Sequence, residues 1–152
     1  MREIIRAENA GFCFGVKQAI EKAERAAEKA DGHIYSMGSL IHNERVTSDL
    51  EKKGKKIISS LDEVKTGEKV IIRSHGEGKA LYDEAKKRGV ELVDATCPFV
   101  AKIHTLVNET DKQVVIVGDK NHPEVMGIDG WCTSPEIIVG GYEDAVNVQK
   151  DD

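Results

Sequence analysis

The side chains in this sequence with the widest chemical repertoire are its histidines and cysteines, and five of the eight fall in short distinctive motifs. Cys13 stands in "GFCFG", His42 in "GSLIHNERV", His75 in "RSHGEG", Cys97 in "VDATCP", and His122 with Glu124 in "GDKNHPEVMG". Thiolates are ligands for soft metal centres, and imidazoles bind metals, anions or protons. A carboxyl such as that of Glu124 can deliver a proton. Each residue also has an ordinary role open to it. A free cysteine is usually a small buried hydrophobe, a histidine after a strand is usually a polar loop residue, and "HPE" suits a helix cap. The three cysteines, Cys13, Cys97 and Cys132, are far apart and odd in number, which argues against a disulfide framework. No C-x-x-C spells a zinc-finger or ferredoxin-type site, and spacing alone leaves zinc and an iron–sulfur cluster both open.

The elements that must position these residues alternate between two periodicities. Short β-rich runs predict strands near 4–7, 33–36, 56–59, 69–73, 91–93, 113–117 and 137–139. Between them, Val16, Ala19, Ile20, Ala23, Ala27 and Ala30 follow the helical i, i+3, i+4 rule. Val46 with Leu50, and Leu81 with Ala85, mark two shorter helices, and Pro98 suits the first position of a helix carrying Val100, Ile103 and Val107 as its apolar stripe. Strands alternating with helices predict an α/β fold with a mostly parallel sheet. In such a fold ligands sit outside the carboxyl ends of the strands. Cys13, His42, His75, Cys97 and His122 with Glu124 each follow a predicted strand, so all five motifs share one predicted sheet edge. His33 and His104 do not fit that pattern and read as structural.

The two cysteine joints resemble each other, each being strand, short turn, cysteine and then helix, which hints at a duplicated unit. Unpaired N–H groups and the dipole at a helix N-terminus favour negative charge, the state in which sulfur binds metal. Gly11 and Gly15 leave room for a large cofactor beside Cys13, while Phe12 and Phe14 either pack inward, the commoner role, or keep water from a redox centre. Cys132, in "GIDGWCTSPE", reads as a partly buried structural thiol. The link from the helix ending near Thr110 to the strand at Gln113 is short and lacks the glycine that a helix C-terminus prefers.

The chain has 152 residues, of which 39% are apolar and 32% charged, with a net charge of −5. That charge, with no basic run, argues against a nonspecific nucleic-acid surface. No apolar run approaches the roughly 20 residues of a membrane span. The start, "MREIIRAENA", is too short and too charged for a signal peptide, so a cytoplasmic protein is expected.

Taken in order, "GFCFGV", "HNERV", "RSHG", "DATCPFV" and "HPEVMG" resemble the motifs of the 4-hydroxy-3-methylbut-2-enyl diphosphate reductases, iron–sulfur enzymes that end the non-mevalonate route to isoprenoids. The resemblance runs from Gly11 to Gly127. It implies three similar α/β lobes around a 4Fe-4S cluster, and reductive removal of the hydroxyl of an allylic diphosphate to give isopentenyl and dimethylallyl diphosphates. By motif, Cys13 and Cys97 are implied as cluster ligands, His42, His75 and His122 as diphosphate ligands, and Glu124 as the proton donor. It further implies an electron donor such as ferredoxin or flavodoxin, no nucleic-acid or membrane partner, and a monomer in the full-length form. The family's third cysteine ligand comes from a C-terminal lobe, whereas this sequence ends in "NVQKDD", so the third ligand is expected beyond Asp152. The expectation is therefore a first lobe over 1–96, whose N-terminal strand pairs elsewhere in the full enzyme, and an incomplete second lobe over 97–152. On this reading the chain is an N-terminal half, not expected to be active alone. Two other classes stay open on the residues alone: a cluster-free α/β module whose histidines hold a phosphorylated ligand, and a zinc hydrolase built on Cys13, Cys97 and a histidine.

Overall fold

The computed structural model describes residues 3–28, 34–146 and 148. The helix α1 spans Phe14–Glu28, followed by strand β1 at Ile34–Met37, α2 at Glu44–Lys52 and β2 at Lys55–Ile58. A 3₁₀ turn at Leu61–Glu63 leads to β3 at Lys69–Ile72, α3 at Lys79–Arg88 and β4 at Glu91–Asp94. Then come α4 at Pro98–Glu109, β5 at Val114–Val117, α5 at Pro123–Asp129, β6 at Glu136–Val139 and α6 at Tyr142–Val146. The expected α/β class with parallel sheets is present, with the bounds of these six strands shifted by at most a residue or two.

The first four strands form one parallel sheet in the order β2-β1-β3-β4, and β5 with β6 form a second parallel pair. In the four-stranded sheet the chain moves outward from β1 to β2, then returns to add β3 on the other side of β1. The point of reversal lies between β1 and β3, where an open parallel sheet leaves a crevice at its carboxyl edge. Both faces of the central strands are covered: Val70, Ile71 and Ile72 are each fully buried. Alternation divides them, as period two requires. Ile34 and Ile71 pack with Ala19, Ala23, Ala26, Leu40, Ile41 and Leu50 on one face. Tyr35, Met37, Val70 and Ile72 pack with Ile58, Leu61, Ala85 and Val90 on the other. The alanines of α1 let its backbone lie close to the sheet. A smaller cluster of Val107, Ile116, Val125 and Ile128, with Trp131 and Cys132 against it, forms around α4, α5 and the second sheet.

Several sequence expectations need correction. Residues 4–7 form no strand: Ile4 is 93% and Ile5 83% exposed, and an extended segment without a neighbouring strand has nowhere to place its backbone hydrogen bonds. Cys13 therefore follows a turn and not a strand. Phe12 and Phe14 are exposed and do not pack inward. On α4 the buried stripe is Val100, His104 and Val107, while Ile103 lies outside it, exposed with Phe99 and Leu106. The link after α4 manages without glycine because Thr110 is extended (φ −82°, ψ 142°) and hydroxyls cover the last carbonyls. Thr133 Oγ1 donates to Asn108 O at 3.1 Å and Ser134 Oγ to Thr110 O at 2.8 Å. Ala30, His33 and Asp152 lie outside the described residues, and so does the cluster ligand expected beyond Asp152, since the sequence contains no residue past that position.

Candidate active site

The carboxyl edge of the four-stranded sheet is laced by backbone bonds that run from one strand end to the next. Ser74 donates both its N–H and its hydroxyl to Leu40 O, each at 3.2 Å, so the β3 loop is tied to the β1 loop. Cys97 N–H donates in turn to Ser74 O at 2.9 Å, tying the β4 joint to the β3 loop. His42 follows Leu40 by two residues and His75 follows Ser74 directly, so these bonds decide where the two rings emerge.

Three imidazoles meet there. The ring centroids of His42 and His75 are 4.8 Å apart, those of His75 and His122 5.7 Å, and those of His42 and His122 6.1 Å. The first two come from the reversal point between β1 and β3, and the third from the loop after β5. Their immediate neighbours shape helix starts. Asn43 caps α2, its side chain accepting from Val46 N–H at 3.2 Å. His122 caps α5, its Nδ1 accepting from Glu124 N–H at 3.2 Å. That acceptor role leaves the neutral His122 ring its proton on Nε2, as a donor. The helix-cap reading of "HPE" is thus met by the same residue that joins the histidine group.

His75 is the most perturbed of the three. Burial, and then the charges of His42, Arg73 and His122, push it down from 6.5 to about 4, so it is neutral at pH 7. Its buried Nδ1 has no hydrogen-bond partner among the described residues. Arg73 lies two residues before His75 and pairs with Glu77 (Nε to Oε1 2.8 Å), the two side chains being 19% and 15% exposed. Burial pushes the Glu77 carboxyl up, partly offset by Arg73. Arg73 is thus engaged by Glu77, and the three rings stand grouped beside that pair.

The two cysteines of the candidate set approach this edge through helix starts. Cys13 O accepts from Lys17 N–H at 3.0 Å at the head of α1, and Cys97 O accepts from Ala101 N–H at 2.9 Å at the head of α4. Cys97 is the α4 N-cap, with Pro98 next and no side-chain cap bond from its sulfur. A Cβ at Gly15 would overlap Cys97 Sγ and stand 3.1 Å from Cys97 Cβ, so the first turn of α1 rests directly on the second thiol. Cys13, two residues before Gly15, is thereby brought to the same edge, exposed, with Cys97 half-buried. Two thiols at neighbouring helix N-termini, where unpaired N–H groups favour negative charge, are chemically suited to ligate a soft metal centre. Among the described residues no group of three or more His, Cys, Asp or Glu is arranged to hold a metal ion by itself. Cys132 stands apart: it is half-buried against the smaller cluster, its thiol donates to Ile128 O at 3.5 Å, and burial with Glu136 and Asp129 pushes that thiol up.

Glu124 sits half-buried in the first turn of α5, two residues past His122. Sequence reasoning did not single out Arg73, Ser74, Trp131 or the contact of Gly15 with Cys97. The spacing of Arg73 and Glu77, four residues apart around His75, was the one signal available.

Residues 4–152 match the family described as LytB protein. The chain is 51% identical over 154 residues to the 4-hydroxy-3-methylbut-2-enyl diphosphate reductase of Thermoanaerobacter sp. (strain X514), with 97% of this chain and 54% of that relative covered. It is 45% identical over 148 residues to the enzyme of the same name from Clostridioides difficile (strain 630), covering 95% of this chain and 53% of the relative. A solved structure of (E)-4-hydroxy-3-methyl-but-2-enyl diphosphate reductase, the terminal enzyme of the non-mevalonate pathway, superposes with a TM-score of 0.80 at 41% identity, over 95% of this chain and 53% of that one. The E-1-hydroxy-2-methyl-but-2-enyl-4-diphosphate reductase of Plasmodium falciparum gives 0.90 at 32% identity, over 95% and 46%. The chain spans about half the length of the relatives it matches.

Proposed function

We propose, because this chain belongs to the LytB protein family, that it forms the substrate-binding half of a reductase that removes the hydroxyl of 4-hydroxy-3-methylbut-2-enyl diphosphate, giving isopentenyl and dimethylallyl diphosphates. The observation that carries the reading is the meeting of His42, His75 and His122 from three separate loops. Three rings with donor capacity converge on a space suited to an anion. In a chain of net charge −5, three imidazoles hold a diphosphate through their ring N–H groups without a basic patch.

In this reading Cys13 and Cys97 are two of the ligands of a 4Fe-4S cluster, the third coming from residues beyond Asp152, outside this chain. The cluster, when bound, supplies electrons and a Lewis-acidic iron. His122 donates from Nε2 to a diphosphate oxygen, its Nδ1 being engaged by Glu124 N–H. His75, neutral at pH 7, binds the anion without a pre-existing charge, and the incoming negative charge draws a proton toward it. The Glu124 carboxyl protonates the departing hydroxyl, which leaves as water. Two electrons and one further proton complete the balance, the electrons coming from a carrier such as ferredoxin or flavodoxin. Residues 1–96 and 97–152 act as two lobes of a larger cytoplasmic monomer; the division of strands between two sheets supports that boundary.

The test is turnover of the allylic diphosphate by the anaerobically reconstituted full-length protein. Glu124→Gln is expected to keep the cluster spectrum and lose about a hundredfold or more in kcat. Normal turnover would remove Glu124 from the mechanism. A colourless protein carrying stoichiometric zinc would overturn the reading.

A further inference from the structure

His104 occupies a core position of α4, yet it is not an apolar residue. It follows Val100 and precedes Val107 on the buried stripe, is only 4% exposed, and its Nε2 has no hydrogen-bond partner among the described residues. A valine or leucine would fill such a position without leaving a polar atom unsatisfied. Its surroundings indicate what the ring does there. The imidazole stacks on Trp131, with centroids 5.5 Å apart and planes at 17°. A Cβ at Gly76, the residue after His75, would overlap His104 Cε1 and stand 3.3 Å from its Nε2. A Cβ at Gly127, in α5, would stand 3.5 Å from His104 Nε2 and 3.3 Å from His75 O. The ring therefore fills a notch whose two walls are glycine backbones. One wall belongs to the loop bearing His75, the other to the helix headed by His122 and Glu124. Two bonds close the notch behind it: Trp131 Nε1 donates to Glu77 O at 2.8 Å, and Lys79 N–H donates to Gly130 O at 3.1 Å.

We propose that His104 is a positioning residue, whose imidazole, wedged between Gly76 and Gly127 and held by Trp131, sets the spacing of His75 and His122 at the anion site. The two bonds pull the His75 loop toward α5, and the ring is the spacer against which they pull. A smaller side chain lets the loop collapse onto α5; a bulkier or differently shaped one drives them apart. The inference rests on the reading of these histidines as a diphosphate site, but its geometry is measurable without any ligand.

The test uses the full chain, labelled for detection of its imidazole signals, with inorganic pyrophosphate as the probe. In His104→Phe the stack on Trp131 is kept, but a larger six-membered ring must fit between Gly76 and Gly127. The His75 and His122 signals are expected to shift and pyrophosphate affinity to fall about tenfold or more, while the melting temperature moves only modestly. His104→Gln, which has no ring to stand between the two glycine walls, is expected to shift the same signals and to lower affinity as well; wild-type affinity in it would show that a nitrogen and not the ring's shape matters, and would overturn the proposal. Unchanged His75 and His122 signals together with unchanged affinity in His104→Phe would overturn the proposal. If His104→Phe does not fold, His104→Leu is read instead, since it takes the ring out from between Gly76 and Gly127. The same selective shift supports the proposal, and its absence overturns it. If the unmodified chain takes up no pyrophosphate, the diphosphate reading fails. The proposal is then decided on the imidazole signals alone: a selective shift at His75 and His122 upholds it, and no shift overturns it.

Discussion

The two cysteine joints begin helices in the same way and are anchored in opposite ways. Cys97 is delivered by a strand, β4, and its N–H is fixed to Ser74 O in the bonded edge of the four-stranded sheet. Cys13 is delivered by a segment with no strand partner, bearing exposed Ile4, Ile5, Phe12 and Phe14. What holds Cys13 in place is downstream of it: α1 packs by its alanines, and Gly15 sits against the sulfur of Cys97. One thiol is thus positioned by the sheet and the other by contact with the first. The lesson is that similar local sequence guarantees a similar cap, but tertiary packing decides how rigidly the cap is held.

That dependence is breakable at Gly15. Gly15→Val inserts side-chain atoms where Cys97 Sγ already lies, so α1 must lift from the second joint. The expected cost is about 1–3 kcal/mol in denaturant unfolding, with iron and sulfide uptake lost at both thiols and not at one. A variant that unfolds normally and takes up iron and sulfide normally would mean the joints are independent.

A second prediction separates half-buried His75 from the thiols by pH. His75 is held down to about 4 in the fold, against 6.5 in the unfolded chain, so the unfolded state binds the proton more readily between those values. Its contribution to stability is therefore complete above about pH 6.5 and is lost as pH falls toward 4. His75→Gln is expected to flatten the fall in unfolding midpoint between pH 7 and 5, and an identical slope in both proteins would contradict the assignment. A smaller effect concerns the thiols in the metal-free chain. Exposed Cys13 should react with a bulky thiol reagent faster than half-buried Cys97, and Cys132, whose thiol burial pushes up, slowest. Mass analysis of the first-modified cysteine checks the order.

Much of the sheet was legible because its strands are short β-branched runs bounded by turns, and parallel pairing follows from the helices between them. The grouping of His42, His75 and His122 was legible from the same pattern, since each follows a strand and strand ends share an edge. The segment 4–7 misled because β propensity describes a residue's fit to a sheet, not the presence of a partner strand. His104 was passed over because a lone histidine within a helix carries no mark of burial; only the two glycines, far apart in sequence, disclose the space it fills. Ile103 misled for a related reason: helical period allows either 103 or 104 on the inner face, and the notch at Gly76 and Gly127 selects His104. The contact of Gly15 with Cys97 joins residues distant in sequence, and no local pattern encodes it.

The central claim is that the two unlike joints hold one centre between them. Iron and acid-labile sulfide are therefore to be measured after anaerobic reconstitution of the unmodified full-length protein and of its Cys13→Ser, Cys97→Ser and Cys132→Ser variants. The account predicts uptake in the unmodified protein and in Cys132→Ser, and loss of most of it in both Cys13→Ser and Cys97→Ser. Full retention in either of the latter two, or dependence on Cys132, would contradict it.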